Sequence, residues 1–133
     1  MDLFKVTRRF DMPVRSLNSS VLKWPDAKTV DDAIRFWAGK VLQNREDVLQ
    51  IGYFGSYARG NWGVGSDLDV VIVIESSNEP FERRGAKWDL TELRVPADVM
   101  IYQKEEWDSL SQKRRFYKTL MQEAAWIYVR TEA

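Results

Sequence analysis

The sequence contains no cysteine and no histidine, and these two absences exclude several kinds of functional site. Without them there is no disulfide framework, zinc finger or thiolate nucleophile. An imidazole base and a Ser-His-Asp triad are excluded as well. Any metal ion must be held by oxygen ligands, which favour Mg²⁺, Mn²⁺ or Ca²⁺.

An excess of charge of either sign is also missing, because 20 Lys and Arg residues balance 20 Asp and Glu residues. A neutral chain has no global basic field, so nucleic acid is not expected as a direct ligand. No apolar run approaches the length of a membrane span, and "MDLFKVTRRFDMP" lacks the apolar core of a signal peptide. We therefore expect a cytoplasmic protein with no membrane partner.

The hydrophobic pattern predicts an α/β (α+β) domain, with a small mixed β-sheet flanked by helices. At 133 residues and 44% hydrophobic content, the chain suits one globular domain. Alternating strands and helices favour this fold class. Strands are predicted at 47–54, 68–74, 97–102 and "WIYVR". The strand at 68–74, "LDVVIVI", is apolar on both faces and is therefore expected inside the sheet.

Three regions have helical character. The first helix is predicted from an N-cap at Thr29 to about Asn44. A weaker pattern covers 80–93, where Gly85 interrupts it. A longer pattern covers 104–125, and its predicted inner stripe is Trp107, Leu110, Tyr117, Met121 and Ala124. In residues 1–28, "VRSL" and "SSVLKW" are candidate short strands.

A phosphate-binding turn is predicted where the strand 47–54 ends. Gly55 closes this strand, and Ser56 is a plausible N-cap for a one-turn helix that ends at Gly60. Free amides at a helix start can bind phosphate, and the guanidinium of Arg59 could grip phosphate oxygens. The turn is neither a Walker A loop nor a dinucleotide-binding glycine motif. A plain strand-to-helix turn remains an equally good reading of Gly55-Ser56 alone.

Two carboxylates stand at the start of the next strand. Asp67 and Asp69 are two residues apart, so on a strand their side chains leave the same face. Carboxylates that close repel each other unless one is protonated or a cation lies between them. The alternative, a loop cap at Asp67 and a solvated Asp69, explains one aspartate more readily than two.

A third acid, Asp98, interrupts the apolar strand "ADVMIY". A buried carboxylate in mid-strand needs a partner or an ion. A salt bridge to a basic residue is the alternative to a metal site. For the turn and the acids to meet, the strands 47–54 and 68–74 must run antiparallel, which the ten-residue connection between Ser56 and Asp67 allows. The direction of the Asp98 strand stays open.

The motif resembles the signature of the DNA polymerase beta-like nucleotidyltransferase superfamily. It consists of Gly55-Ser56, ten further residues and Asp67-x-Asp69, with Asp98 on a later strand. The short chain is similar to its minimal nucleotidyltransferase (MNT) domain proteins, many of which are antitoxins that act beside a helical HEPN-domain partner. The resemblance covers about residues 29–130. Residues 1–28 would be an N-terminal extension with no assigned role.

The resemblance implies that Asp67 and Asp69 bind Mg²⁺, with two ions expected and Mn²⁺ as a substitute. Asp98 would complete the metal site and help deprotonate an acceptor hydroxyl. Gly55, Ser56 and Arg59 would hold the outer phosphates of ATP. The expected reaction moves AMP to a hydroxyl, most naturally on a HEPN-type toxin. Two alternatives stay open: a binding module that neutralises its partner by contact, and a transferase that modifies a small molecule such as an antibiotic.

Overall fold

The computed structural model describes residues 24–110 and 115–131 of the chain. Within them lie four β-strands and four α-helices. The strands are β1 Val48–Phe54, β2 Leu68–Ile74, β3 Ala97–Gln103 and β4 Ala125–Val129. The helices are α1 Ala27–Asn44, α2 Ser56–Arg59, α3 Lys104–Leu110 and α4 Arg115–Glu123.

The strands form one mixed sheet in the order β3-β2-β1-β4. β1 is antiparallel to both β2 and β4, whereas β2 and β3 are parallel. This arrangement confirms the predicted mixed sheet with flanking helices. It also confirms the antiparallel pairing of β1 and β2 and the internal position of β2. As a result, the C-terminal end of β1 and the N-terminal ends of β2 and β3 lie at one edge of the sheet.

Each face of β2 packs into a different hydrophobic cluster. Leu68, Val70 and Ile72 are fully buried in the cluster that contains residues of α1. Val71 and Val73 instead pack in a cluster with Trp107 of α3 and Leu120 of α4. Because side chains alternate along a strand, Asp69 lies on the same face as Val71 and Val73. The acid at the start of β2 therefore faces the α3 and α4 side of the sheet.

Two predicted helix starts are wrong by one to three residues. Asp26, not Thr29, is the N-cap of α1, and its Oδ1 accepts a hydrogen bond of 2.9 Å from the backbone N–H of Thr29. Asp26 stands three residues before the amide it caps, which is the usual spacing of this bond. Gly55, not Ser56, occupies the N-cap position of α2, while Gly60 ends this helix as predicted.

The predicted helix at 80–93 is also wrong, because this region forms two short 3-10 turns, Phe81–Lys87 and Thr91–Leu93. The first turn is held to the sheet by Arg84, which is 8% exposed. Its guanidinium donates to the carbonyl of Ile101 and to both carboxylate oxygens of Glu106. This buried anchor, together with the interruption at Gly85, favours a turn over a continuous helix.

The predicted helix at 104–125 contains two helices, α3 and α4, in its described part. Trp107 is buried as predicted, but Met121 is 45% exposed and Leu120 takes the inner position on α4. Leu120 lies three residues after Tyr117 and both pack in the cluster with Trp107, so this face of α4 leaves Met121 outside. The candidate strands "VRSL" and "SSVLKW" lie outside the described residues, except for Trp24. None of the described helices combines the length and the apolar character needed to cross a membrane.

Candidate functional site

A cleft of about 420 Å³ lies at the sheet edge where β1 ends and β2 begins. Its lining comes from the β1–α2 turn, from the start of β2 and from one face of α4. The lining residues are Phe54, Gly55, Ser56, Arg59, Asp67, Asp69, Phe116, Thr119, Leu120 and Glu123. Five of the six site residues predicted from the sequence therefore meet in one cleft, and Asp98 is the exception.

Gly55 brings the turn into direct contact with Asp69. Its backbone has φ 82° and ψ −155°, a conformation that is almost exclusive to glycine. Phe54, the residue before it, pairs with Asp69 across the antiparallel strands. A Cβ atom on Gly55 would overlap Oδ2 of Asp69. Only glycine therefore lets the turn approach the carboxylate this closely.

The three acids lie at the same sheet edge, but they differ in exposure. Asp67 is exposed and Asp69 is half-buried. Asp98 pairs with Asp69 in the parallel register of β2 and β3. Asp98 is exposed at the second position of β3, so the expectation that it is a buried mid-strand carboxylate is wrong. Among residues 24–110 and 115–131 Asp98 forms no ion pair, so the alternative of a structural salt bridge finds no support there.

Mutual repulsion of the acids is visible in the electrostatics of Asp69. Its pKa is raised above the ordinary value of 3.8, first by partial burial and then by the charges of Asp98 and Asp67. The guanidinium of Arg59 acts in the opposite direction and lowers this pKa. Asp69 is therefore a carboxylate whose charge is only partly compensated in the cleft.

The sequence interpretation missed Glu123, the last residue of α4. Its Oε1 accepts a hydrogen bond of 3.3 Å from Nη1 of Arg59, with exposed fractions of 46% for the arginine side chain and 23% for the glutamate side chain. Arg59, which is predicted to bind phosphate, thus has a carboxylate partner on the opposite wall of the cleft. No local pattern could reveal this contact, since 64 residues separate the two side chains.

The cleft has the donor set that a hard divalent cation requires, because Asp67 and Asp69 both offer carboxylate oxygens to it. In the part of the chain that the structure describes, no three acidic side chains already converge on a metal position. Mg²⁺ is usually bound by one or two carboxylates together with substrate phosphates, not by a closed protein cage. Two cleft carboxylates, one of them with its charge destabilised first by burial and then by repulsion, fit this mode of binding.

A second concavity, of about 410 Å³, lies between α1 and the first 3-10 turn. Its basic residues are already paired on the protein surface. Lys40 pairs with Glu92, and Arg45 pairs with Asp47. The guanidinium of Arg45 also lies 4.6 Å from the ring centre of Trp88. With its charges neutralised in this way, the groove offers no concentration of reactive groups comparable to the acid-lined cleft.

One solved structure with a TM-score above 0.5 supports the fold. A provisionally assigned nucleotidyltransferase from Sulfolobus solfataricus superposes with a TM-score of 0.53 at 16% identity, over 81% of this chain and 91% of that chain. The crystal structure of a toxin-antitoxin with AMP-PNP gives a TM-score of 0.47 at 13% identity, over 72% of this chain and 73% of that chain. No curated protein matches the sequence significantly.

The sequence itself matches the family model of the nucleotidyltransferase domain over residues 38–124. This match spans most of the chain and contains β1, the β1–α2 turn, β2, β3 and both helices that follow. The Gly55-Ser56 turn and all three predicted acids lie inside it. The chain belongs to the nucleotidyltransferase domain family.

Proposed function

We propose that this protein is a metal-dependent nucleotidyltransferase that moves AMP from ATP to a hydroxyl group of a partner protein. The observation that carries the proposal is the single cleft in which the Gly55-Ser56 turn meets Asp67 and Asp69. Family membership supports the same reaction class, since the match includes every one of these residues.

The triphosphate would bind at the β1–α2 turn. Gly55 and Ser56 offer backbone amides and a hydroxyl at the cleft, and Arg59 offers a guanidinium that lines it. Charged donors of this kind form short, strong hydrogen bonds to phosphate oxygens. We assign these residues to the outer phosphates, which leaves the α-phosphate toward the acids of β2.

Asp67 and Asp69 would hold Mg²⁺, in one or two sites, and Mn²⁺ could take its place. A divalent cation held there would supply charge neutralisation for the phosphates and for the attacking and leaving oxygens. Asp98 would serve as the proton acceptor for the incoming hydroxyl, because it is exposed and lies beside Asp69 in the sheet register.

The chemistry is one displacement at phosphorus. The acceptor oxygen forms a bond to the α-phosphorus of ATP while the bond from that phosphorus to the bridging oxygen breaks. The leaving pyrophosphate keeps the electron pair, and the proton of the acceptor hydroxyl passes to a carboxylate. No covalent enzyme intermediate is required, so a chain without cysteine or histidine loses nothing. Positioning and charge stabilisation would supply the rate.

For the acceptor we propose a tyrosine hydroxyl on a HEPN-type toxin, with this chain as its antitoxin in the cytoplasm. Phe116 of α4 lines the cleft and is 42% exposed, so it offers apolar contact area there. A partner docked there would place its own hydroxyl near the acids. The partner surface would then form the acceptor side of the site.

The test is a labelling experiment with the purified protein, Mg²⁺ and ATP labelled either at the α- or at the γ-phosphate. We expect label from the α-position, and none from the γ-position, on the helical protein encoded by the adjacent gene. Mass spectrometry should find an added AMP on one of its residues. Asp67→Asn is the matched inactive control.

Other acceptors are offered in parallel in the same experiment. Label on an aminoglycoside or on an RNA 3′ end, with none on the partner, would replace the proposed acceptor while keeping the reaction. Neutralisation of the partner without any transfer of label would favour the contact-only module and contradict the enzymatic proposal.

The phosphate assignment makes a separate prediction. Ser56→Ala and Arg59→Ala should each weaken ATP binding by about five- to fiftyfold, since hydrogen bonds to charged groups are worth roughly 1.5–3 kcal/mol in full and less at an exposed site. Adenosine binding should change little, because neither side chain is assigned to the nucleoside. Calorimetry with both ligands measures the difference. Equal losses for ATP and adenosine would remove these residues from the phosphate site.

A further inference from the structure

The ion pair between Arg59 and Glu123 lies in the lining of the cleft. It joins the end of α2 to the end of α4, with 3.3 Å between Nη1 of Arg59 and Oε1 of Glu123. This is a long, single contact for a guanidinium that could form a bidentate pair. A contact of this kind holds Arg59 in place but is readily replaced by a better acceptor.

A second contact fixes how α4 lies along the turn. Phe116, near the start of α4, meets Phe54 edge to face, with ring centres 6.2 Å apart. The two contacts join the ends of two segments, 54–59 on one wall of the cleft and 116–123 on the other. These segments therefore run side by side. Seven residues of helix cover about 10 Å, so this arrangement spans the length of the turn. Glu123 thus lies across the cleft from the β1–α2 turn, to which the phosphates are assigned.

The charge balance of the cleft makes Glu123 unfavourable for an anionic ligand. Among the described residues that line it, Arg59 is the one basic side chain, and it faces three carboxylates: Asp67, Asp69 and Glu123. A triphosphate entering the cleft would meet repulsion from all three. The first two acids are accounted for by the proposed metal site, whereas Glu123 is not.

A purely structural role explains Glu123 poorly. It is the last residue of α4, and a negative charge at the C-terminal end of a helix is opposed by the helix dipole. The ion pair is partly exposed on both sides, and pairs of this kind add little stability. A residue that is unfavourable both for its helix and for the charge of the cleft is typical of a functional position.

We propose that Glu123 is a specificity-determining residue of the cleft, because it competes with the phosphates of the nucleotide for Arg59. The inference rests on the proposed nucleotidyltransferase function. In the free protein Glu123 forms an ion pair with Arg59. The outer phosphates of ATP carry more charge than one carboxylate, so they displace Glu123 from Arg59. A nucleoside monophosphate does not reach Arg59 and leaves the ion pair in place. When pyrophosphate leaves, the ion pair between Glu123 and Arg59 forms again, and this opposes rebinding of pyrophosphate.

The experiment is calorimetric titration of wild type, Glu123→Gln, Arg59→Ala and the double variant with Mg²⁺-ATP, AMP, adenosine and inorganic tripolyphosphate. Glu123→Gln should bind ATP and tripolyphosphate about two- to fivefold more tightly, the range that exposed ion pairs span. Its affinity for AMP and adenosine should not change. In the Arg59→Ala background the gain should disappear, because the competition requires the arginine.

Glu92→Gln is the matched control, since it removes one carboxylate from another exposed ion pair, with Lys40, outside the cleft. This variant should bind ATP as wild type does. Weaker or unchanged ATP binding by Glu123→Gln, or an equal gain with Arg59 absent, overturns the role of Glu123 while nucleotide binding by the wild type stands. If the wild type binds neither ATP nor tripolyphosphate, the proposed function fails and this inference fails with it.

Discussion

Asp69→Asn is expected to lower the rate of nucleotide transfer about a hundred- to thousandfold, since positioned charge of this kind is worth several kcal/mol in a transition state. Asp69 is the acid most closely tied to the turn, because it pairs with Phe54 and abuts Gly55. An asparagine keeps the size of the side chain but removes its charge. The affinity for a divalent cation should fall together with the rate.

The same substitution is expected to stabilise the fold at neutral pH. The pKa of Asp69 is raised by burial and by Asp98 and Asp67, so the folded protein binds this proton more tightly than the unfolded chain does. The free energy of unfolding therefore falls as the pH rises from the ordinary value of 3.8 through the raised pKa, and the full penalty is present above it. Asp69→Asn carries no such penalty.

Thermal unfolding at a series of pH values measures this effect. Asp69→Asn should have the higher melting temperature at pH 7, and the difference should shrink as the pH falls toward 3.8. Mg²⁺ or Mn²⁺ should raise the melting temperature of the wild type and not that of the Asp67→Asn, Asp69→Asn double variant. Asp32→Asn, which removes an exposed carboxylate paired with Lys28 on α1, is the control for loss of charge alone.

Two results would contradict this account of Asp69. One is a variant that transfers nucleotide at the wild-type rate. The other is a wild type whose melting temperature ignores both metals, with and without ATP. An Asp69→Asn protein less stable than wild type at pH 7 would contradict only the electrostatic part, and Asp69 would then be a structural residue as well.

Gly55→Ala is expected to lose both stability and activity. Its backbone conformation costs a residue with a Cβ roughly 1–3 kcal/mol, and the added Cβ overlaps Oδ2 of Asp69. The chain can relieve the overlap only by moving the carboxylate or the turn. Since both belong to the proposed site, transfer should fall even in molecules that remain folded.

Two other glycines of the same loop separate strain from overlap. Gly60 has φ 88° but open space where a Cβ would lie, so Gly60→Ala should cost roughly 1–2 kcal/mol of stability and leave transfer unchanged. Gly63 has open space and no positive φ, so Gly63→Ala should match the wild type in both. Melting temperatures and transfer rates of the three variants test this order. Equal behaviour of Gly55→Ala and Gly60→Ala would show that the contact with Asp69 is unimportant.

The sequence alone determined the elements that depend on local pattern. The run "LDVVIVI" is apolar on both faces, and this pattern by itself indicates an internal strand. The absence of cysteine and histidine limited the candidate chemistry to carboxylates, hydroxyls and arginine. The turn follows the end of β1 and the acids precede or begin β2, so the two can meet only if these strands are antiparallel, and they are.

Only the tertiary structure decided which residues face each other across long sequence separations. β3 runs parallel to β2 and places Asp98 beside Asp69, a choice that strand periodicity cannot make because it carries no information on direction. α4 lies along the turn and brings Glu123 to Arg59. Helical periodicity gives the spacing of an apolar face but not the angle at which a helix packs. For this reason the pattern predicts an inner position for Met121, which is wrong, and does not reveal the contact of Glu123 with Arg59.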